Sequence, residues 1–146
     1  MIEVRKTIHV SLPAPQIYEY LTQPENIIQY VGPIRRIYDW STPEVETATR
    51  LTVEVSFLGR RFEQRAECTR RDPPDVFEAR SVGGRFYFEA GFDLRPEPHG
   101  TQMDGWGKAQ APGLFSVAEA LLGFFIEHQV DRDLRRLKSR LELLRV

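Results

Sequence analysis

The stretch PGLFSVAEALLGFFIEHQVDRDLRRLKSRLELL, residues 112–144, decides the fold of this chain. In its second half Ile126, Val130, Leu134, Leu137, Leu141 and Leu144 recur at spacings of three and four, the stripe of an amphipathic helix, with Arg132, Arg135, Arg136 and Arg140 on the outer face. The first half, 114–125, is apolar nearly all round. One of its sides is expected to meet the rest of the protein and another to meet a ligand, a lid of early helices or a second subunit. Ser116 and Glu119 have capping-box spacing, so the regular helix is expected to begin there, after an irregular lead-in over 112–115. A single long helix that follows a series of strands has one place to bury its stripe, the concave face of their sheet.

The strands are legible from periodicity. Ile2, Val4, Ile8, Val10 and Leu12 share one parity, interrupted by Lys6, while Glu3, Arg5, Thr7 and His9 take the other: a half-buried strand. Pro13-Ala-Pro15 stops it, and Pro15 suits the first turn of a short helix carrying Ile17, Tyr18, Tyr20 and Leu21. A second short helix is expected from Pro24 to Gly32-Pro33, where glycine takes the left-handed cap and proline blocks continuation. From Ile34 the period falls to two, predicting strands at 34–40, 46–57, 61–71, 75–82, 85–95 and 101–109. Short turn-forming breaks separate them, among them Leu58-Gly59, Asp72-Pro-Pro74 and Gly83-Gly84, so neighbours are antiparallel.

Parity also assigns faces. Thr49, Leu51, Val53, Val55 and Phe57 share one side, continued by Phe62, Gln64, Ala66 and Cys68, by Phe77, Ala79 and Ser81, by Phe86, Phe88, Ala90, Phe92 and Leu94, and by Thr101, Met103, Gly105 and Gly107. A four-residue loop over 58–61 sets Phe57 opposite Phe62 and Glu54 opposite Arg65, whereas a two-residue loop sets Glu54 against Glu63. Like charges directly opposite destabilise a strand pair by roughly 0.2–1 kcal/mol, so the longer loop is expected.

The chain of 146 residues fits a single domain, residues 1–146, with enough length to bury a core without staples. A formal net charge of −1 and the lack of basic runs interleaved with aromatics argue against nucleic acid as a partner. Cys68 has no disulfide partner and MIEVRKTIHV lacks the apolar core of a signal peptide, which points to the cytoplasm. The longest apolar stretch, 117–126, is broken by Glu119 and Gly123 and falls short of the roughly 20 residues that span a bilayer. Asp131, Asp133 and Glu142 among the arginines of 132–140 make that face a solvated one rather than a membrane contact.

The order of elements, with Leu12-Pro-Ala-Pro15, Ile17-Tyr18, Leu21-Thr-Gln-Pro-Glu25, Leu58-Gly-Arg-Arg-Phe62, Asp72-Pro-Pro74, Gly100-Thr101 and Asp133-Leu-Arg-Arg-Leu-Lys138, resembles the START, or SRPBCC, superfamily of birch-pollen-allergen-like proteins. The local motifs resemble its bacterial polyketide-cyclase/dehydrase-like branch. The resemblance covers essentially the whole chain. It implies an α+β helix-grip fold: a curved seven-stranded antiparallel sheet wrapped around a long C-terminal helix, with two short helices after the first strand. It also implies a cavity between sheet and helix for a hydrophobic or amphipathic small molecule, such as a lipid or polyketide. It implies no reaction, because the superfamily mixes carriers, cyclases, dehydrases and regulators, and the shared motifs mark turns and packing.

The candidate ligand wall is Val55, Phe57, Phe62, Gln64, Phe77, Phe86, Phe88, Phe92, Met103 and Gly105 on the sheet, with Phe115, Leu122 and Phe125 on the helix. The plain alternative is that these residues are core. Gly105 and Gly107 mark either a cavity or close helix packing, and Gly123 either a kink beside the pocket or a contact with Gly105. Gln64, an amide on the inner face, needs a partner, which is either a ligand's carbonyl or hydroxyl or a neighbouring backbone group. Tyr30 and Tyr38 are candidates to present hydroxyls at the mouth.

The catalytic candidates are few. His9 lies on the polar parity and His99 in a turn; Tyr38 and His128 remain as weak proton-transfer candidates. No His and Cys set has metal-ligand spacing, no Gly-rich loop opens a helix, and no nucleophile sits in an elbow, so neither metal nor cofactor is expected. Binding of a hydrophobic small molecule is therefore favoured over a metal-free cyclase or dehydrase. A third reading is an interaction module in which 114–125 grips a partner or a second copy as a homodimer.

Overall fold

Residues 2–10 pair in the alternating way their sequence predicts, and the rest of the sheet is built outward from them. The computed structural model describes residues 2–42, 46–57, 59–84, 87–110 and 116–144, and within these the side chains of all but 24, 57, 60 and 116–122. The elements are β1 (Ile2–Val10), α1 (Ala14–Leu21), α2 (Pro24–Tyr30), β2 (Ile34–Tyr38), β3 (Arg50–Phe57), β4 (Arg60–Asp72), β5 (Val76–Ser81), β6 (Tyr87–Glu97), β7 (Gly100–Gln110) and α3 (Ser116–Leu143). Seven strands form one open antiparallel sheet in the order β1-β7-β6-β5-β4-β3-β2. β2 to β7 are laid down as successive hairpins, and α1 and α2 carry the chain from one edge strand, β1, to the other, β2. This is the helix-grip architecture, with α3 laid along the sheet.

α3 runs beside β1 in the same direction: Gly123 packs on Ile2, with room for a Cβ at 3.7 Å from Ile2 Cγ2, and Glu127 accepts from Lys6 Nζ at 3.0 Å. Lys6 thus occupies the apolar parity of β1 because its stem lies along the interior while its ammonium reaches the helix. Further on, Leu134, Leu137 and Leu141 bury against Val10, Leu94 and Met103, the centre of the core. Arg132, Arg135, Arg136 and Arg140 are exposed as the helical stripe predicts. Leu144, assigned to the stripe, is 41% exposed, one residue past the end of α3 at Leu143.

The corner between β6 and β7 explains the Gly100-Thr101 pair. Gly100 has φ of +152°, and a Cβ there would collide with the Val10 carbonyl. The next residue, fully buried, donates its Thr101 hydroxyl to the Leu12 carbonyl at 2.7 Å, fastening β7 to the Pro-Ala-Pro corner.

Three local expectations are corrected. Gly32 does not take a left-handed conformation; its missing side chain instead leaves room for α3, since a Cβ would lie 2.7 Å from Gln129 Nε2 and 3.0 Å from Asp133 Oδ1. β3 begins at Arg50 rather than 46, because Ala48 has φ of +74° and the turn before it is closed by Thr49 N donating to the Glu46 carbonyl at 3.0 Å. The β3–β4 hairpin uses the shorter loop: Phe57 pairs with Arg60, Val55 with Phe62, and Glu54 with Glu63. A shift by two residues keeps every side chain on its face, so apolar patterning does not discriminate between the registers. Gly59, at φ of +77°, suits the tight turn. Arg36 Nε, 3.7 Å from Glu54 on the neighbouring strand, relieves the like-charge contact.

The Asp133 carboxylate accepts from the Gly32 backbone N–H at 3.1 Å and from Gln129 Nε2 at 2.9 Å, tying α3 to the turn between α2 and β2. Burial holds its pKa above the ordinary aspartate value, against the pull of both hydrogen bonds and of Arg136 and Arg132. A carboxyl with a raised folded-state pKa binds more protons folded than unfolded, so its contribution to stability falls as pH rises from the unfolded value through the folded one. Asp133→Asn, which keeps an acceptor for Gly32, is expected to be as stable as wild type or more so at pH 7 and to lose this part of the pH dependence. Urea unfolding at pH 4, 5.5 and 7 measures it; a variant markedly weaker at pH 7 alone would contradict the assignment.

Candidate functional site

Across the centre of the sheet the register aligns a row of small residues: Cys68 on β4 opposite Ala79 on β5, Ala79 opposite Ala90 on β6, and Ala90 opposite Gly107 on β7. On one side lies a row with large rings, Phe77 opposite Phe92. Beyond the other side Phe88 sits opposite Ala109. A strip of short side chains between bulky ones leaves space above the sheet. The result is a cavity of about 290 Å³.

Its floor is Ala66, Cys68, Ala79 and Ala90. Leu51, Val53 and Val55 of β3 and Ile34 and Ile37 of β2 form one flank, Phe77, Phe88 and Phe92 stand at the ends, and Ile27, Tyr30, Val31 and Pro33 close it from the side of α2. Ala90 is solvent-accessible although it faces inward, which fits an accessible space above it. Among the described residues no side chain of α3 lines the cavity; the part of the helix expected over it from the sequence, with Phe115 and Leu122, lies outside the described residues. The described part of α3 packs elsewhere: a Cβ on Gly105 would lie 3.1 Å from Leu134 and 3.3 Å from Phe92, so Gly105 serves close helix packing.

The polar groups of the lining are already engaged. Tyr30, buried, donates its hydroxyl to the Leu21 carbonyl at 3.0 Å, and its ring meets Phe92 edge-on at 5.9 Å. Burial raises its phenol far above the ordinary value. Cys68 Sγ lies 3.8 Å from the Arg70 carbonyl, and burial raises its thiol pKa, so it stays protonated and acts as a small apolar group. Glu67 carries its carboxylate to Arg50 at 3.5 Å and Arg80 at 3.8 Å. The described walls therefore present hydrocarbon, with backbone polar groups committed to the strand ladders.

Of the wall candidates from the sequence, Val55, Phe77, Phe88 and Phe92 line the cavity. Phe62 is half-buried opposite Val55, outside the described lining. Met103 is buried completely in the core under α3, away from the cavity. Gln64 faces inward, but its amide donates to the Gly83 carbonyl at 2.9 Å and the Arg65 carbonyl at 3.0 Å, so it holds the β5–β6 turn in place. Phe125 is 41% exposed on α3 and packs edge-on with Phe124 at 5.9 Å. Phe86 and Phe115, with the side chains of Phe57, Leu122, Ser116 and Glu119, lie outside the described residues.

Neither proton-transfer candidate reaches the cavity. Tyr38 pairs with Thr52 on the outer face, one residue out of phase with inward Ile37, and Arg36 stacks 4.3 Å over its ring. The neighbouring Glu63 carboxylate, then burial, raises its phenol pKa. His128 is exposed on α3 and stacks on Phe124 at 6.4 Å. His9 pairs with Glu97 at 3.0 Å on the surface, and His99 is exposed in its turn.

The wall expected from the sequence left out Ile27, Val31, Pro33, Ile34 and Ile37, Leu51 and Val53 of β3, and the small-residue floor. Ile27, Tyr30 and Val31 do recur at helical spacing, and Cys68, Ala79, Ala90 and Gly107 do share the inner parity. Only the register shows that the four stand side by side.

An open sheet gripping one long helix, with an apolar cavity over its central strands, defines a helix-grip cavity protein. The sequence profile of the family described as "Polyketide cyclase / dehydrase and lipid transport" matches residues 1–142, and the chain belongs to that family. No curated protein gives a significant sequence match. Among solved structures, a protein from Deinococcus radiodurans superposes with a TM-score of 0.74 at 22% identity over 98% of both chains. One from Thermus thermophilus gives 0.75 at 20% identity over 95% of this chain and 96% of the other. The di-domain ARO/CYC StfQ from the steffimycin biosynthetic pathway gives 0.76 at 12% identity, covering 97% of this chain and 51% of StfQ. At these identities the likeness is one of fold. No described helix is long and apolar enough to cross a membrane.

Proposed function

We propose that this chain, as a single domain acting in the cytoplasm, binds a hydrophobic small molecule over the central strands. Transport or sequestration of that molecule is its role. The observation that carries the reading is the cavity of about 290 Å³ whose described walls offer hydrocarbon alone. Affinity comes from removing apolar surface from water, at about 25 cal/mol per Å². Family membership supports the same class of ligand. The cyclase reading draws support from the family and from StfQ, but Tyr38 and His128, the candidate proton carriers, lie outside the cavity.

Native mass spectrometry of gently purified protein, with organic extraction, tests the proposal. The expected result is a bound small-molecule mass that is released into solvent and is absent from folded Phe88→Asp protein, whose new carboxylate would stand in the cavity wall. Equal loading of the folded variant would reject this wall.

A further inference from the structure

We infer that the cavity selects a compact, unfunctionalised hydrocarbon body, two fused rings or a ten-carbon chain in scale, and excludes ligands that carry polar groups along their length. The inference rests on the binding reading above and specifies its ligand class.

Size follows from volume. An apolar cavity of about 150 Å³ accommodates benzene, so the 290 Å³ here corresponds to a ligand body of about ten to twelve non-hydrogen atoms. Among the described residues, named side chains bound the cavity. Phe77, Phe92 and Tyr30 close one end, and the short row of Cys68, Ala79 and Ala90 sets the depth.

Polarity follows from the hydrogen-bond inventory. The Tyr30 hydroxyl is spent on Leu21, Glu67 is paired with Arg50 and Arg80, and the Cys68 thiol is protonated beside the Arg70 carbonyl. The inward amide of Gln64 is engaged by the turn at 82–83. A chain with a carbonyl at every second carbon would leave each carbonyl stripped of water and without a donor among the described walls, a cost that rises with each group. A hydrocarbon body with one polar end kept in water incurs none of it.

Calorimetric titration with primary alcohols from hexanol to tetradecanol, and with naphthalene against naphthalene-1,3-diol, tests this directly. Affinity is expected to rise about fourfold per methylene and to level off near decanol. The diol is expected to bind about tenfold more weakly than naphthalene or worse. Ala79→Leu should move the plateau to shorter chains, and Leu51→Ala to longer ones; either variant suffices if the other fails to fold. Affinity climbing unchanged through tetradecanol, or a diol that binds as well as naphthalene, overturns the size and polarity selection while leaving the binding reading intact. Uptake of none of these probes by folded protein overturns both.

Discussion

Leu137→Ala is expected to lower unfolding stability by about 2–5 kcal/mol. Leu137 is fully buried at the centre of the contact between α3 and the sheet, among Leu134, Leu141 and Met103. Deleting its terminal carbons loses their transfer free energy and leaves a void that β7, paired on both sides, cannot move to fill. Phe124, on the same helix but 67% exposed, supplies the control: Phe124→Ala should change stability by no more than ~0.5 kcal/mol. Urea midpoints of both variants measure the contrast. A Leu137→Ala loss below that of Phe124→Ala would mean that α3 does not grip the sheet along this stripe.

Gly100→Ala is the second large effect, expected at about 2–4 kcal/mol from two independent causes. The backbone φ of +152° belongs to a region that side-chain-bearing residues rarely adopt. The added Cβ would also meet the Val10 carbonyl, and the His9 ring at 3.1 Å. The carbonyl belongs to a paired strand and cannot swing aside as a flexible side chain does. By contrast Gly107, whose Cβ would meet nothing among the described residues closer than the Glu89 carbonyl at 3.8 Å, should accept alanine at a much smaller cost. Thermal unfolding of the two variants side by side decides the matter; equal losses would show that the corner at Gly100 is more pliable than its geometry indicates.

Much of the fold was legible because it is written in local period. The alternation of Ile2, Val4 and Val10 and the spacing of Leu134, Leu137 and Leu141 each name an element and its buried face without reference to the rest of the chain. The loop at 58–59 was misread because the two candidate registers differ by two residues, a shift that alters charge pairing and leaves the apolar face unchanged. The charge argument failed because it considered β3 and β4 alone, while Arg36 arrives from β2.

The site was less legible than the fold. Large rings drew attention as walls, and Val55, Phe77, Phe88 and Phe92 do line the cavity, but Met103 and Gly105 have the same parity and lie under α3 instead. Tyr30 and Gln64 face inward with their polar groups bonded to backbone carbonyls, a fate that depends on segments distant in sequence. Tyr38 and His128 were separated from the cavity by one residue of strand phase and by the rotation of α3.

By itself, then, the sequence determined the elements, their order, the inner face of each strand and the stripe by which α3 docks, because periodicity in one segment reports that segment's own burial. Only the tertiary structure decided where the inner face is filled and where it is empty. That depends on which short side chains stand abreast in different strands and which helix lies over them: Cys68, Ala79 and Ala90 leave a hollow beneath the turn from α2 to β2, while Gly105, on the same face, is covered by Leu134.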